Sequence, residues 1–195
     1  FVAPNYDYKN KLSISEELGT LNFQSRGYYK NYETNKKQTK LVNDFHWNSN
    51  DYISNSGITT KFEGNLKNSN YRSENTSDHK NDKNNIELMG AISLLSSLPL
   101  EKRSENYKKT LTPKLMIRTA PGHMRNMSNS QMKLGMENLY ALNKLSDMDV
   151  IETGTSLTLG TDYSHKDKND FEKFNLSVGQ VFNYEDNPDM SKQST

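Results

Sequence analysis

Histidines, paired carboxylates and exposed aromatics are the side chains with which a 195-residue chain could do chemistry, and here each set is poorly placed for it. The four histidines, His46, His79, His123 and His165, are far apart, and none stands at a metal-binding spacing from another. "HMRNMS" and "SHKDKND" hold His123 and His165 near serine or aspartate, but in polar, turn-rich segments where a base stays solvated. Glu16/Glu17 and Asp147/Asp149 are carboxylate pairs set in turns, with nothing apolar around to raise a pKa. "GYY" at 27–29 could stack on a sugar, although aromatics at strand ends also form a membrane girdle. There is no Gly-rich phosphate loop and no nucleophile elbow. The reading is therefore not an enzyme: no catalytic residue, no metal and no cofactor.

One stretch has a different texture. In "NLYALNKLSDMDVIETG", 138–154, Leu139, Leu142 and Leu145 recur at helical spacing until Ser-Asp-Met-Asp interrupts them. "TSLTLGTDY" follows, a cleanly alternating strand. An ordered, leucine-bearing loop that feeds a strand is the simplest account.

Alternation of this kind recurs along the chain. Tyr6, Tyr8, Leu12 and Ile14 oppose Asn5, Asp7, Lys9 and Lys11; Leu21, Phe23 and Tyr29 oppose Asn22, Gln24, Arg26 and Lys30. The same pattern appears in 39–47, 58–66, 110–119, 155–163 and 173–184. The segment 86–100, "IELMGAISLLSSLPL", is apolar on both faces and is stopped by Pro99. The sum is about eight strands of roughly ten residues, the length that crosses a bilayer at a tilt.

Composition narrows the class. With 25 asparagines and only 32% hydrophobic residues, the chain is polar enough for disorder to be considered. An aromatic content of 10% and regular alternation argue against it. Twenty-five basic against 24 acidic residues leave no clustered basic excess for nucleic acid. No apolar run is long enough for a transmembrane helix. The chain opens "FVAPNYDYKN" without an initiator Met or a signal peptide, so the sequence reads as a piece of a longer protein. Loops near 67–85 and 120–149 are long, whereas those near 15–20, 48–55, 101–106 and 164–170 are short. Counted along a meander, the long loops fall on one rim and those short turns on the other, as in outer-membrane barrels. The expected fold is all-β: an antiparallel up-and-down meander over residues 1–195, an incomplete segment of one transmembrane β-barrel domain. Another barrel, such as a porin or receptor, or a soluble β-domain for adhesion, are the alternatives.

"LTPKLMIRTAPGHMRN", "NLYALNKLSDMDVIETGTSLTLGTDY" and "FNLSVGQVFNYED", in that order, resemble the C-terminal barrel of the LPS-assembly outer-membrane proteins of the LptD (OstA, Imp) family. There, Asn-Leu-Phe-x-x-Asn-Arg-Phe and Gly-x-Asp-Arg-x-Glu-x-Gly precede a barrel strand, and a Ser-x-Gly-Gln strand follows. Asn138, Leu139, Asn143, Leu145, Asp149, Glu152, Gly154, Ser177, Gly179 and Gln180 fill this pattern. Lys144, Met148 and Val150 depart from it, standing where arginine, an aromatic and a second arginine are usual. The detailed match covers 111–184, and the lack of cysteine fits the middle of the family's barrel. The resemblance implies a translocon of the Gram-negative outer membrane that inserts lipopolysaccharide (LPS) into the outer leaflet. It implies, as partners, LPS, a plug lipoprotein of LptE type, a periplasmic LPS bridge reached through a domain outside this chain, and outer-membrane lipid. It also implies that the 138–154 stretch docks on the rim or in the lumen, with Asp149 and Glu152 pairing with basic groups.

The faces predict a lumenal charge. Lys9, Lys11, Arg26, Lys30, Lys40, Lys61, Lys114 and Arg118 share the polar faces with Asp7, Asp44, Glu63 and Asp162. A modest positive field would attract phosphorylated sugars without trapping them. Lys61, Lys114 and Arg118 are the expected lumenal LPS contacts.

Overall fold

A computed structural model describes residues 2–32, 35–75, 84–128, 134–145 and 147–190. The alternating segments form one antiparallel sheet of ten strands. These are β1 (Val2–Leu12), β2 (Thr20–Asn31), β3 (Lys37–Asn48), β4 (Tyr52–Ile53), β5 (Thr59–Glu74), β6 (Asn84–Ser97), β7 (Leu100–Arg103), β8 (Tyr107–Ala120), β9 (Gly154–Asp167) and β10 (Glu172–Asn183). The path is a plain meander, β1-β2-β3-β5-β6-β8-β9-β10, with β4 paired to β5 and β7 to β8. A three-residue 3-10 turn, Glu16–Leu18, is the only helical element among the described residues. The sheet does not close on itself, and β1 and β10 are its free edges.

Two boundaries differ from the sequence reading, for the same physical reason. β5 runs on to Glu74 and β6 starts at Asn84, so most of the loop expected at 67–85 is strand. Residues 76–83, which include His79, lie outside the described residues. Beyond an apolar band both faces of a strand meet polar surroundings, and Asn68, Asn70 and Arg72 therefore carry no alternation signal. The long connection after β8 spans 121–153, a little past the expected 120–149.

The register fixes the faces, because residues directly opposite in an antiparallel pair point the same way. Lys40, Tyr71 and Asn85 are in register, as are Val42, Ser69 and Glu87, and Asp44, Lys67 and Met89. This inward face continues through Ser93, Arg118, Ser156 and Asn183. Leu157 with Phe182 and Leu159 with Ile117's neighbour Leu115 lie on the other face, as do Leu176 and Val178. The outward face is apolar and exposed, and Val178 is 50% accessible although nothing polar justifies it. A face of this kind in water would be an aggregation surface; against acyl chains it is at equilibrium.

The band also slants. Trp47 is in register through Gly64 and Ile92 with Thr119. On β3 the outward residues Leu41 and Phe45 lie on the long-loop side of that row. On β8, Leu111, Leu115 and Ile117 all lie on its short-turn side. An apolar band that is level in a membrane crosses successive strands in this stepped way when the strands are tilted, by about 35–45° in known barrels. Pro113 sits inside β8 without harm: Leu98 N–H donates to its carbonyl at 3.1 Å. Its missing N–H points to that same side, at the break between β6 and β7, rather than into the β9 ladder.

Buried apolar side chains collect between the sheet's inward face and the 121–153 connection. Met89, Ala91, Ala120, Leu142 and Ile151 form one cluster. Met124, Leu145, Val150 and Met190 form a second. The loop thus supplies the second layer that a single sheet lacks.

Candidate lumenal site: the loop between β8 and β9

The loop holds its own shape first. The Asn143 side chain donates to Val150 O at 2.9 Å and accepts from Glu152 N–H at 3.0 Å, tying two turns of chain together. Asn138 accepts from Gly135 N–H at 2.8 Å. These amides do for a non-helical loop what backbone ladders do for a strand. The leucines at helical spacing, Leu139, Leu142 and Leu145, are all buried, but in irregular chain rather than helix. Gly154 takes φ +113 where the loop enters β9, a conformation open to glycine alone at low cost.

Two buried charge clusters then hold the loop, the first by tying it to the wall and the second by tying it to itself. Asp149 accepts from Lys40 Nζ at 2.5 Å and from Arg125 Nη2 at 2.9 Å. Arg125 also faces Glu87 at 3.8 Å, and Tyr71 O–H donates to Glu87 at 2.7 Å. Burial favours the neutral form of Arg125, but Asp149 and Glu87 outweigh it and hold the guanidinium above its ordinary pKa. In the second cluster Lys144 Nζ lies 3.2 Å from Glu152. Burial pushes the Lys144 ammonium below its ordinary pKa, against the pull of Glu152 and with a further push from Arg118. Between the clusters, Lys67 reaches Asp44 at 2.6 Å and the Met148 carbonyl at 2.8 Å.

Arg118, read from sequence as an LPS contact, is 1% accessible. Its Nε donates to Leu142 O at 2.5 Å, and its Nη atoms donate to the carbonyls of Glu152 and Gly154. The guanidinium therefore grips the loop. Lys61 pairs with Glu63 at 2.8 Å, and Lys114 pairs with Asp162 on the same inward face. Both lysines remain partly accessible on that face.

Seats for the loop are cut by glycine. Gly160 and Gly179 are directly opposite each other on β9 and β10. A Cβ on Gly179 would collide with Leu139, and one on Gly160 with the Tyr140 hydroxyl and with backbone of β10. Ser177 hydrogen-bonds Asp162 on the inward face, while Gln180 points outward and donates to Val181 O at 3.2 Å. The pattern residues from Asn138 to Gly179 thus converge on one loop and its seat, and Gln180 does not join them. Val150, standing where the resembled pattern has arginine, is fully buried among Met124, Leu145 and Met190.

Sequence reasoning missed Arg125, Gly160 and the segment after β10. That segment folds back on the loop, with Asn187 donating to Thr153 O at 3.0 Å and Met127 N–H donating to Asp189 O at 2.6 Å. A glycine inside a strand was the one available signal. Beside the loop, a polar cavity of about 480 Å³ opens between Arg26, His46, Glu63 and Lys67 on the wall and Tyr140 and Asn143 on the loop. No group of three or more metal-ligating side chains occurs among the described residues. The arrangement can hold a polar path open on one side and narrow it with an anchored loop on the other.

The family model described as LptD, LPS transport system D, matches residues 2–195. No curated protein matches the chain.

Proposed function

The chain belongs to the LptD family of LPS transport, an outer-membrane family, and from that premise we propose that it forms part of the translocon wall that inserts LPS into the outer leaflet. The observation that carries this reading is the division of one sheet into two surfaces. The outward face is an apolar, slanted band suited to acyl chains. The inward face bears Arg26, Lys61, Lys114 and their acidic partners beside a polar cavity. Sugars and phosphates travel along the inward face, and the anchored β8–β9 loop narrows that path. The work of the site in this reading is electrostatic and steric. In this reading a plug lipoprotein of LptE type fills the rest of the lumen, and a periplasmic bridge delivers LPS through a domain outside this chain. Lys61 and Lys114 meet the sugar phosphates as hydrated point charges. Arg118 acts through the loop that it holds.

Photocrosslinking residues at 61 and 114 of the full-length protein test this in living cells. LPS adducts should form there, and Lys61→Gln with Lys114→Gln should slow LPS delivery while the protein still assembles. Adducts from the outward neighbours Phe62 and Leu115 alone would overturn the lumenal route.

A further inference from the structure

A strand that faces lipid is expected to present large apolar side chains, yet two outward positions at the centre of the sheet are glycine. Gly64 on β5 is opposite Ile92 on β6, and Gly90 on β6 is opposite Leu66 on β5. The two glycines therefore lie diagonally across one seam, and they leave a furrow in the apolar band. Phe45 and Trp47 on β3 wall one side of it. On the other side β8 ends at Ala120 and the chain turns away at Pro121, so the furrow opens toward the long-loop rim. Its volume is about 530 Å³. The one nearby hydroxyl, Thr119, lies 2.9 Å from that of Thr155, so its polarity is already satisfied. Packing does not demand these glycines. A Cβ on Gly90 would meet only Asn65 O at 3.6 Å and Leu66 Cδ1 at 3.8 Å, and one on Gly64 only the Trp47 ring at 3.4 Å. Glycine inside a strand weakens it, and where no neighbour requires it the space itself is the reason to look for a ligand.

We propose that this furrow is a binding site for one acyl chain of an LPS molecule in the outer leaflet. Its position in the lipid-facing band fixes the class of occupant as hydrocarbon. The outward surface above it fixes the source. On β5 the outward residues that follow Leu66 toward the long-loop rim are Asn68, Asn70 and Arg72. Asn43 and Asn70 both donate to Asn68, at 3.4 and 2.5 Å, and Ser25 donates to Asn43 at 2.8 Å. Above the amides Arg72 and Lys37 share the single carboxylate of Glu74, at 3.5 and 3.4 Å, so the crown keeps a net positive charge, and amides under a cationic crown suit a phosphorylated sugar headgroup better than a small zwitterionic one. The lipid that the translocon has delivered would thus be held against its outer wall, a role separate from passage through the lumen. The inference rests on the long-loop rim facing the cell exterior.

The test uses full-length protein in cells, with a photocrosslinking residue replacing Ile92, and Val178 or Leu159 as outward positions away from the furrow. LPS adducts from 92 should exceed those from 178 and 159 severalfold. Gly90→Leu, which the open space accommodates, should bring the yield at 92 down to the level at 178 and leave 178 unchanged. Gly90→Ala serves as the conservative control and should retain most of the yield. Equal yields at the three positions would reduce the furrow to general lipid contact and overturn the site. Adducts at 92 with phospholipid alone would overturn the choice of LPS. Loss of lumenal adducts at 61 with retained, Gly90-sensitive adducts at 92 would count against the proposed route but not against the furrow.

Discussion

Asp149 shows how one residue can carry a loop. It is the shared acceptor for Lys40 and Arg125, and all three are removed from bulk water. Asp149→Ala leaves two cations facing each other in a closed space. The docked loop should lose about 3–5 kcal/mol, the usual cost of stranding a buried charge. Hydrogen exchange of the amides from Val150 to Glu152 would report it, and unchanged protection would mean that the apolar clusters alone hold the loop. Asn143→Ala removes one donor and an acceptor that serve buried backbone, and should cost roughly 1–3 kcal/mol by the same readout. The opposed glycines offer a graded comparison. Gly179→Ala mainly displaces the flexible end of Leu139 and meets the Leu159 carbonyl only at 3.3 Å, whereas Gly160→Ala pushes against the Val178 carbonyl of β10 at 2.5 Å. Thermal unfolding should therefore fall further for Gly160→Ala, and the reverse order would place the Leu139 seat above the Tyr140 seat in importance. These residues were partly legible in advance. Asn138, Asn143, Asp149 and Glu152 stand in a recognisable order, but Arg125 and Gly160 carry meaning only when the loop is laid on the sheet.

At the level of the strand, the two faces make opposite demands on the same substitution. Val178 and Asn175 are on one strand, three residues apart, and face opposite sides of the sheet. In the assembled barrel Val178→Arg should cost about 2–4 kcal/mol if it lies near the bilayer midplane, and Asn175→Arg much less. Equilibrium unfolding from lipid vesicles would separate them, and equal losses would mean that the faces are exchanged. The strands were legible because period-two alternation is a local property that survives in any fold. β5 was read too short because alternation fades where both faces meet polar surroundings. The short strands β4 and β7 escaped notice for a related reason. Two or four residues are too few to show a period, and they exist only because β5 and β8 pass beside them.

The whole molecule is a sheet with two open edges, β1 and β10. Unpaired N–H and C=O groups along an edge recruit other strands, and hydrocarbon offers them no alternative partner. Residues 1–195 placed alone in detergent should therefore associate through these edges. Size-exclusion chromatography with light scattering would show mixed oligomers, and a single monomeric species would mean that the edges are capped by other means. The sequence by itself determined the strand faces, the meander and the long connection after β8, and its ordered motifs pointed to LPS transport. All of these depend on near neighbours along the chain, whose spacing is already set by the covalent backbone. Tertiary structure alone decided that the β8–β9 loop lies on the inward face, that Arg118 grips it, and that Gly64 and Gly90 fall beside each other to form a furrow. Those outcomes depend on residues far apart along the chain, through register for Gly64 and Gly90 and through loop docking for Lys40 and Asp149 at a separation of 109. No local pattern encodes such a distance; it is fixed only when the whole sheet has aligned.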